Sequence, residues 1–157
     1  MGQYAFDTLT RVDWVVTLSS TTSPTAAQLN AGTPLSTLVS KDGVNVSLTN
    51  NKVSTATIAS LTDTETVGSV GASLTLTGFR DDATDTFWNL VVYGTDGFVV
   101  IRRGVLYSTT WTAAQKAEVY PATMFNPIPA ASAGNTSQSF TAEFAVTGEI
   151  QLKATVT

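Results

Sequence analysis

Apolar and polar residues alternate in several short runs of the chain, and this alternation predicts strands. Val44, Val46 and Leu48 are interleaved with Asn45, Ser47 and Thr49, and Ala72, Leu74 and Leu76 with Ser73, Thr75 and Thr77. Near the C-terminus Phe140, Ala142, Phe144 and Val146 alternate with Thr141, Glu143, Ala145 and Thr147. After Gly148-Glu149 the period returns in Ile150, Leu152, Ala154 and Val156. A period of two puts one set of side chains on each face of a strand. Each run therefore predicts a strand with one buried face, and the last two predict a hairpin turned at 148–149. Residues 11–19 and 98–103 read as further strands. Residues 117–129 read as extended but Pro-interrupted, which predicts an edge strand or one that bends. Asn50-Asn51 predicts a turn before the β-prone residues 52–61. Residues 62–71, 104–116 and 130–135 read as connections.

Two segments carry helical signals. Thr25 followed by Gln28 is a capping-box pattern and predicts a short helix over 25–31, ended by Gly32. Asp81-Asp82 precede Ala83, Phe87, Leu90 and Val91, which share one face at helical spacing. They predict a helix over 81–93, closed by Gly94. No repeat of fixed period and no compositional break divides the chain. The expected fold is mainly β: a β-sandwich or open barrel of two packed sheets with one flanking α-helix. It forms a single domain over 1–157, with residues 1–10 as an N-terminal arm.

Composition sharpens this picture. The 157 residues include 28 Thr and 14 Ser, whereas charged residues make up only 13%, about half the usual share. Thr suits a half-exposed pleated surface, so the exposed strand faces are neutral rather than charged. The chain has no His and no Cys. Histidine-based acid–base chemistry, thiol nucleophiles and thiolate metal sites are excluded, which leaves only carboxylate, Lys or Tyr chemistry for an enzyme. The net charge is −4 with eight Lys and Arg, unlike the basic face of a protein that grips nucleic acid through phosphates. No apolar run reaches the length of a membrane span, and the first residues lack the basic-then-apolar pattern of a secretory signal.

The candidate chemical sites are few. Asp81, Asp82 and Asp85 could in principle gather a divalent cation, but their spacing matches helix capping and lacks the Gly and bidentate Glu of a calcium loop. Asp63 and Glu65 lie in a Thr-rich loop without the enclosure that a catalytic carboxylate pair needs. Arg102 and Arg103 are adjacent on a strand and point to opposite faces, so one is expected to make an ion pair or a subunit contact. Trp14, Trp88 and Trp111 could line a sugar-binding platform only if they faced solvent together. The segment 40–70 is β-prone and low in charge, with little apolar mass in its second half. A hairpin of this kind gains most by joining strands of another copy.

The block Ala117-Glu118-Val119-Tyr120-Pro121, the stretch from Asn135 to Glu149 and the Gly78-Phe79-Arg80-Asp81-Asp82 passage resemble the major tail tube proteins of long-tailed, siphovirus-type bacteriophages, notably those of actinobacterial hosts. The resemblance covers most of the chain. It implies a structural virion protein with no catalysis and no cofactor. Six copies would form a ring, and rings would stack around a tape-measure protein into a hollow tube, closed by terminator and tip proteins. Double-stranded DNA would pass through that tube without specific binding. On this reading residues 40–70 are the assembly hairpin, and the arm and the 105–116 connection are ring-to-ring contacts. The assembly candidates are Lys41, Asp42, Asn50, Asn51, Lys52, Thr55, Thr57, Asp63, Glu65, Arg102, Arg103 and Trp111, with Asp81, Asp82 and Asp85 as a helix cap. The subunit would reside in the virion tail after assembly in the host cytoplasm, with no membrane anchor. The tubes of contractile tails are a near rival. A carbohydrate-binding or adhesin-type β-sandwich is the alternative from another class.

Overall fold

The computed structural model describes Gln3 and residues 7–157. Residues 1, 2 and 4–6, half of the proposed arm over 1–10, lie outside the described residues. The strands are β1 (Thr10–Val15), β2 (Thr33–Pro34), β3 (Val39–Ser54), β4 (Glu65–Phe79), β5 (Asp96–Arg103), β6 (Lys116–Met124), β7 (Ile128–Pro129), β8 (Ser139–Val146) and β9 (Gln151–Thr155). Two five-residue helices interrupt them, α1 (Ala26–Asn30) and α2 (Thr86–Leu90). All pairings are antiparallel. The sheet runs β2-β1-β5-β6-β8-β4-β3, with β9 also on β6 and β7 also on β8. It folds over where β6 meets β8, so β2-β1-β5-β6-β9 forms one wall and β8-β4-β3 the other. Trp14 of β1 meets Phe144 of β8 across the gap, with ring centroids 5.9 Å apart. Residues 33–39 bind both walls: Leu35 N donates to Val12 O, and Phe79 N donates to Leu38 O. The main core between the walls holds Val12, Trp14, Val99, Ile101, Tyr120, Leu74, Leu76, Phe140 and their neighbours.

The first wall is buried on both faces. Val99 and Ile101 enter the main core, whereas Val100 packs with Val15, Val119, Ala154 and Leu29 of α1 on the opposite side. A strand covered twice reads as a continuous apolar run, which explains the unbroken Phe98–Ile101 stretch. α1 forms as expected: Thr25 Oγ1 accepts from Gln28 N at 3.3 Å. The Gln28 side chain turns away to accept from Ser19, so the reciprocal half of the capping box is not used.

Four expectations need correction. Residues 117–129 are not an edge strand, because β6 is central and carries Pro121 inside it. The Pro121 carbonyl accepts from Thr147 N at 3.0 Å, so its missing N–H faces the gap where β8 ends and β9 begins. The two C-terminal strands do not form a hairpin with each other. They lie end to end along the same edge of β6, split at that proline. Asn50-Asn51 is not a turn, since both residues lie within β3 and the connection is 55–64. The helix expected over 81–93 shrinks to Thr86–Leu90, because the acidic residues before it are held in a local turn and an ion pair. α2 closes one end of the core, where Phe87 and Trp88 pack on Phe140 with centroids 4.9 and 5.1 Å apart. Gly78 makes room for this, as a Cβ there would run into the Phe87 ring.

Candidate assembly surface

The arm. β3 and β4, of 16 and 15 residues, are far longer than the strands around them, nearly three times the usual five or six residues. Their base is part of the wall: Val44 and Val46 pair with Leu76 and Leu74 and pack on the core. Pairing of β4 with β8 stops at Leu74–Phe144. From Leu48 to Ser54 the two strands therefore run on as a bare ribbon, projecting about 20 Å at the rise of an extended strand. β3 is also the end of the sheet path, so among the described residues its outer edge is unpaired. Ile58 and Leu61, in the loop at the tip, are fully exposed, and Val67 nearly so. A two-stranded ribbon is marginal on its own, and exposed apolar side chains at its end mark a contact surface.

Seven of the sequence-derived candidates fall on this arm, and the bonds they make are to neighbours within it. Lys52 Nζ lies 2.8 Å from Glu65 Oε2 across the ribbon. Thr55 and Thr64 hydroxyls are 2.9 Å apart, and Thr57 pairs with Ser60 around the tip. Asn51 Nδ2 donates to Ser69 Oγ. Asn50 and Asp63 are exposed. At the base, Asp42 is exposed and Lys41 Nζ lies 3.0 Å from Asp7 Oδ1. Where the arm leaves the body, Leu48, Val70 and Ala72 face Val146, Ile150 and Leu152 across a groove of about 580 Å³. Sequence reading missed Ile58, Leu61 and Val67. The available signal was their isolation in a Thr-rich segment with no period that would bury them.

The uncovered face. The register fixes which side chains of the second wall point away from the core. They form cross-strand rows: Asn45–Thr75–Glu143, Ser47–Ser73 and Thr77–Thr141. Among the described residues no helix or loop covers these rows, which are exposed or half-buried. Their functional groups are hydroxyls, one amide and one carboxylate.

The clamp. Arg102 and Trp111 are 1% and 2% exposed. They are withdrawn from the contact candidates because their side chains are engaged inside the subunit. Arg102 donates to the carbonyls of Leu106, Thr109 and Thr110 and to Gln115 Oε1, at 2.7–3.2 Å, and its guanidinium lies 4.8 Å from the Trp111 ring centroid. Burial pulls its pKa down, and the nearby Arg11 charge adds to this. Asp13, fully buried, accepts from Arg11 Nε at 2.7 Å and from Trp111 Nε1 at 2.5 Å. This buried knot fixes the 104–115 loop. Gly104 N and Tyr107 N also donate to Leu9 O and Thr8 O. Arg103 points to the other face, as adjacent strand positions must, and pairs with Glu118 Oε1 at 2.8 Å. Glu118 also accepts from Tyr120 Oη.

The acidic cluster serves the local chain. Asp81 Oδ1 accepts from Ala83 N, and Asp85 binds the Arg80 guanidinium, which lies 4.0 Å above the Trp88 ring centroid. Asp85 occupies the N-cap position of α2 in a left-handed conformation but makes no side-chain cap bond, and Asp82 is exposed. The capping role therefore gives way to an Asp turn and an ion pair. Both Asp81 and Asp85 are held below the ordinary value of 3.8, mainly by the hydrogen bonds from Ala83 N and Arg80 respectively. Among the described residues no group of three or more potential metal ligands converges. The tryptophans form no platform: Trp14 and Trp111 are buried, and Trp88 is packed between Phe140 and Arg80.

The sequence profile of a family described as phage tail tube protein matches residues 5–157. No curated protein shows significant sequence similarity. Among solved structures, the fold is similar to a chain in the six-fold symmetrised cryo-EM structure of the anti-feeding prophage baseplate. The TM-score is 0.64 at 13% identity, covering 98% of each chain.

Proposed function

The chain belongs to the phage tail tube protein family, and from that premise we propose that it is the major tail tube subunit of a long, siphovirus-type tail. On this reading six copies close into a ring, and rings stack around a tape-measure protein to make a hollow conduit through which DNA reaches the host. The subunit is made in the host cytoplasm and ends in the virion. The observation that carries the proposal is the arm. An isolated subunit leaves some 20 Å of ribbon, an open β3 edge and the Ile58–Leu61 tip in water, and a second copy supplies the missing partners. A head-to-tail contact of this kind closes into a ring when its rotation allows and otherwise propagates. The carbohydrate-binding alternative has no support from the buried tryptophans.

The test is negative-stain electron microscopy of the purified protein at rising concentration. Rings or tubes with a central channel are expected. A variant in which residues 55–64 are replaced by a two-residue Asn-Gly turn should keep the strand content of the wild type by circular dichroism and form neither. Compact monomers of the wild type at every concentration, or tubes formed by the variant, overturn the proposal.

A further inference from the structure

We infer that the buried knot beneath the 104–115 loop is a binding site for one water molecule, held between Asp13 Oδ1 and Arg102 Nε. The inference is independent of the tube reading. The strand register brings the two side chains together. Arg11 of β1 is paired with Arg102 of β5, and Asp13 with Val100. Asp13 and Arg102 are therefore diagonal neighbours on one face of the first wall, about 7–8 Å apart along the backbone lattice. That face carries Val15, Val100, Trp111 and Val119, and both side chains are sealed within it, Asp13 at 0% and Arg102 at 1% exposure. Most polar atoms of the knot have partners. Asp13 Oδ2 accepts from Arg11 Nε and Trp111 Nε1. Arg102 Nη1 donates to Thr110 O and Gln115 Oε1, and Nη2 donates to Leu106 O and Thr109 O. Among the described residues two buried side-chain atoms have no partner in the protein, the acceptor Asp13 Oδ1 and the donor Arg102 Nε.

The chemistry of this pair selects the occupant. Oδ1 requires a donor and Nε requires an acceptor. A chloride accepts from Nε but meets a carboxylate oxygen. A metal cation satisfies Oδ1 but meets two guanidinium groups, Arg11 and Arg102. Water donates one proton to Oδ1 and accepts from Nε, so it satisfies both. Two hydrogen bonds in series span up to about 6 Å, which suits diagonal neighbours on a strand pair. Two polar partners are enough to order a buried water, and buried groups that lack a protein partner are ordinarily satisfied in this way. The water completes one network. Asp13 makes no direct bond to Arg102, so the bridge lets the one carboxylate act on both guanidinium groups. The strands then join the carbonyls of Leu106, Thr109 and Thr110 in a single hydrogen-bonded unit. The loop closes over that unit, so the water leaves only when the loop lifts, and its residence time reports the opening.

The test is proton NMR of the full, isotope-labelled chain, in solution for dispersed subunits or by magic-angle spinning for any polymer it forms. The Arg102 Nε–H signal is assigned by its loss in Arg102→Met. In the wild type a rotating-frame experiment should show a cross peak from water to this proton with the sign of dipolar contact. An absent peak overturns the inference. So does a peak with the sign of chemical exchange alone, because the Nε–H is then open to bulk solvent. Two variants separate water from a neighbouring hydroxyl. Thr109→Val with Thr110→Val keeps both carbonyls and removes both hydroxyls, so the peak should persist, and its loss overturns the inference. Asp13→Glu brings the carboxylate one methylene closer to Arg102, into the place of the water. The Nε–H signal should remain and its water peak should disappear. Persistence of that peak in folded Asp13→Glu overturns the inference. Should the longer side chain prevent folding, the wild-type spectrum and the threonine variant still decide it.

Discussion

The buried knot of Asp13, Arg11, Trp111 and Arg102 makes Asp13→Asn the most informative single substitution for stability. Asp13 is completely buried, and one of its oxygens accepts from both Arg11 Nε and Trp111 Nε1. Asparagine keeps the volume and one acceptor but removes the only carboxylate among these groups. Two guanidinium groups, Arg11 and Arg102, then share a buried space without a counter-charge. Burial, and after it the Arg11 charge, already depress the Arg102 pKa. Removing one partner of a buried pair costs about 3–5 kcal/mol, because the remaining charge is left uncompensated. Arg11 retains its bond to Thr109 O, and Arg102 retains its carbonyls, which places the expected loss at the lower end, about 3 kcal/mol. For a chain of this size each kcal/mol moves Tm by about 2–4 °C, so a drop of about 6–12 °C should follow. The assay is urea unfolding followed by tryptophan emission, which reports the burial of Trp14 and Trp111, with the m-value expected to stay unchanged. Asp96→Asn, at an exposed carboxylate bonded to Thr123, serves as the control and should fall within about 0.5 kcal/mol of the parent. A loss below about 1 kcal/mol at Asp13, or one matched by the control, would refute the claim that this knot anchors the first wall.

Arg102→Met should loosen the 104–115 loop without melting the second wall, so amide exchange should accelerate at residues 104–115 and hold steady in β4 and β8. Gly78→Ala should destabilise by about 1–3 kcal/mol through collision with Phe87, and Phe87→Leu in the same chain should recover part of that loss in a thermal melt. Asp85 is held below its ordinary value by Arg80, so the Arg80–Asp85 ion pair stabilises at pH above the unfolded value and is lost as pH falls through the folded one. Trp88 emission should accordingly be flat from neutral pH to about pH 4 and change below it, and Asp85→Asn should abolish that acid step.

The walls differed in how far the sequence revealed them, for a physical reason. The 44–49, 72–77 and 140–146 runs belong to the wall with one bare face, so burial and exposure alternate and the strands are legible. β5 and β6 are covered on both faces, so the period vanishes, and Pro121 pointed to an edge that only the split between β8 and β9 explains. The acidic run before α2 looked like a cap because Asp favours that position. The competing partner, the Arg80 guanidinium stacked on Trp88, depends on how the turn folds back. Trp111 and Arg102 looked like contact residues because Trp and Arg are common at interfaces. Their burial follows from Asp13, 98 positions from Trp111, a separation over which no local pattern carries information. The arm itself was legible as a segment with little to bury. Its true tip was not, because Asn50-Asn51 is a strong local turn signal that the ribbon overrides.

The arm must also be kept from pairing indiscriminately before it meets the right partner. An open edge some eleven residues long is an aggregation hazard. Two features answer it. The register slips between Asn50 and Lys52 because β4 carries an extra residue there, and such a bulge twists the ribbon away from a flat template. Gly68 permits that bulge, since a Cβ would lie 2.8 Å from Asn51 O. Just beyond it, Lys52 and Glu65 put the ribbon's one ion pair beside the free edge, where an intruding strand would have to disturb it. On the proposed reading a correct neighbour is selected by shape and by the apolar tip, not by charge. This is consistent with a chain that keeps two arginines inside and leaves hydroxyls on its broadest open face. Contacts built from hydroxyls and a few apolar anchors desolvate few ions, so stacking many rings adds up without a matching electrostatic penalty.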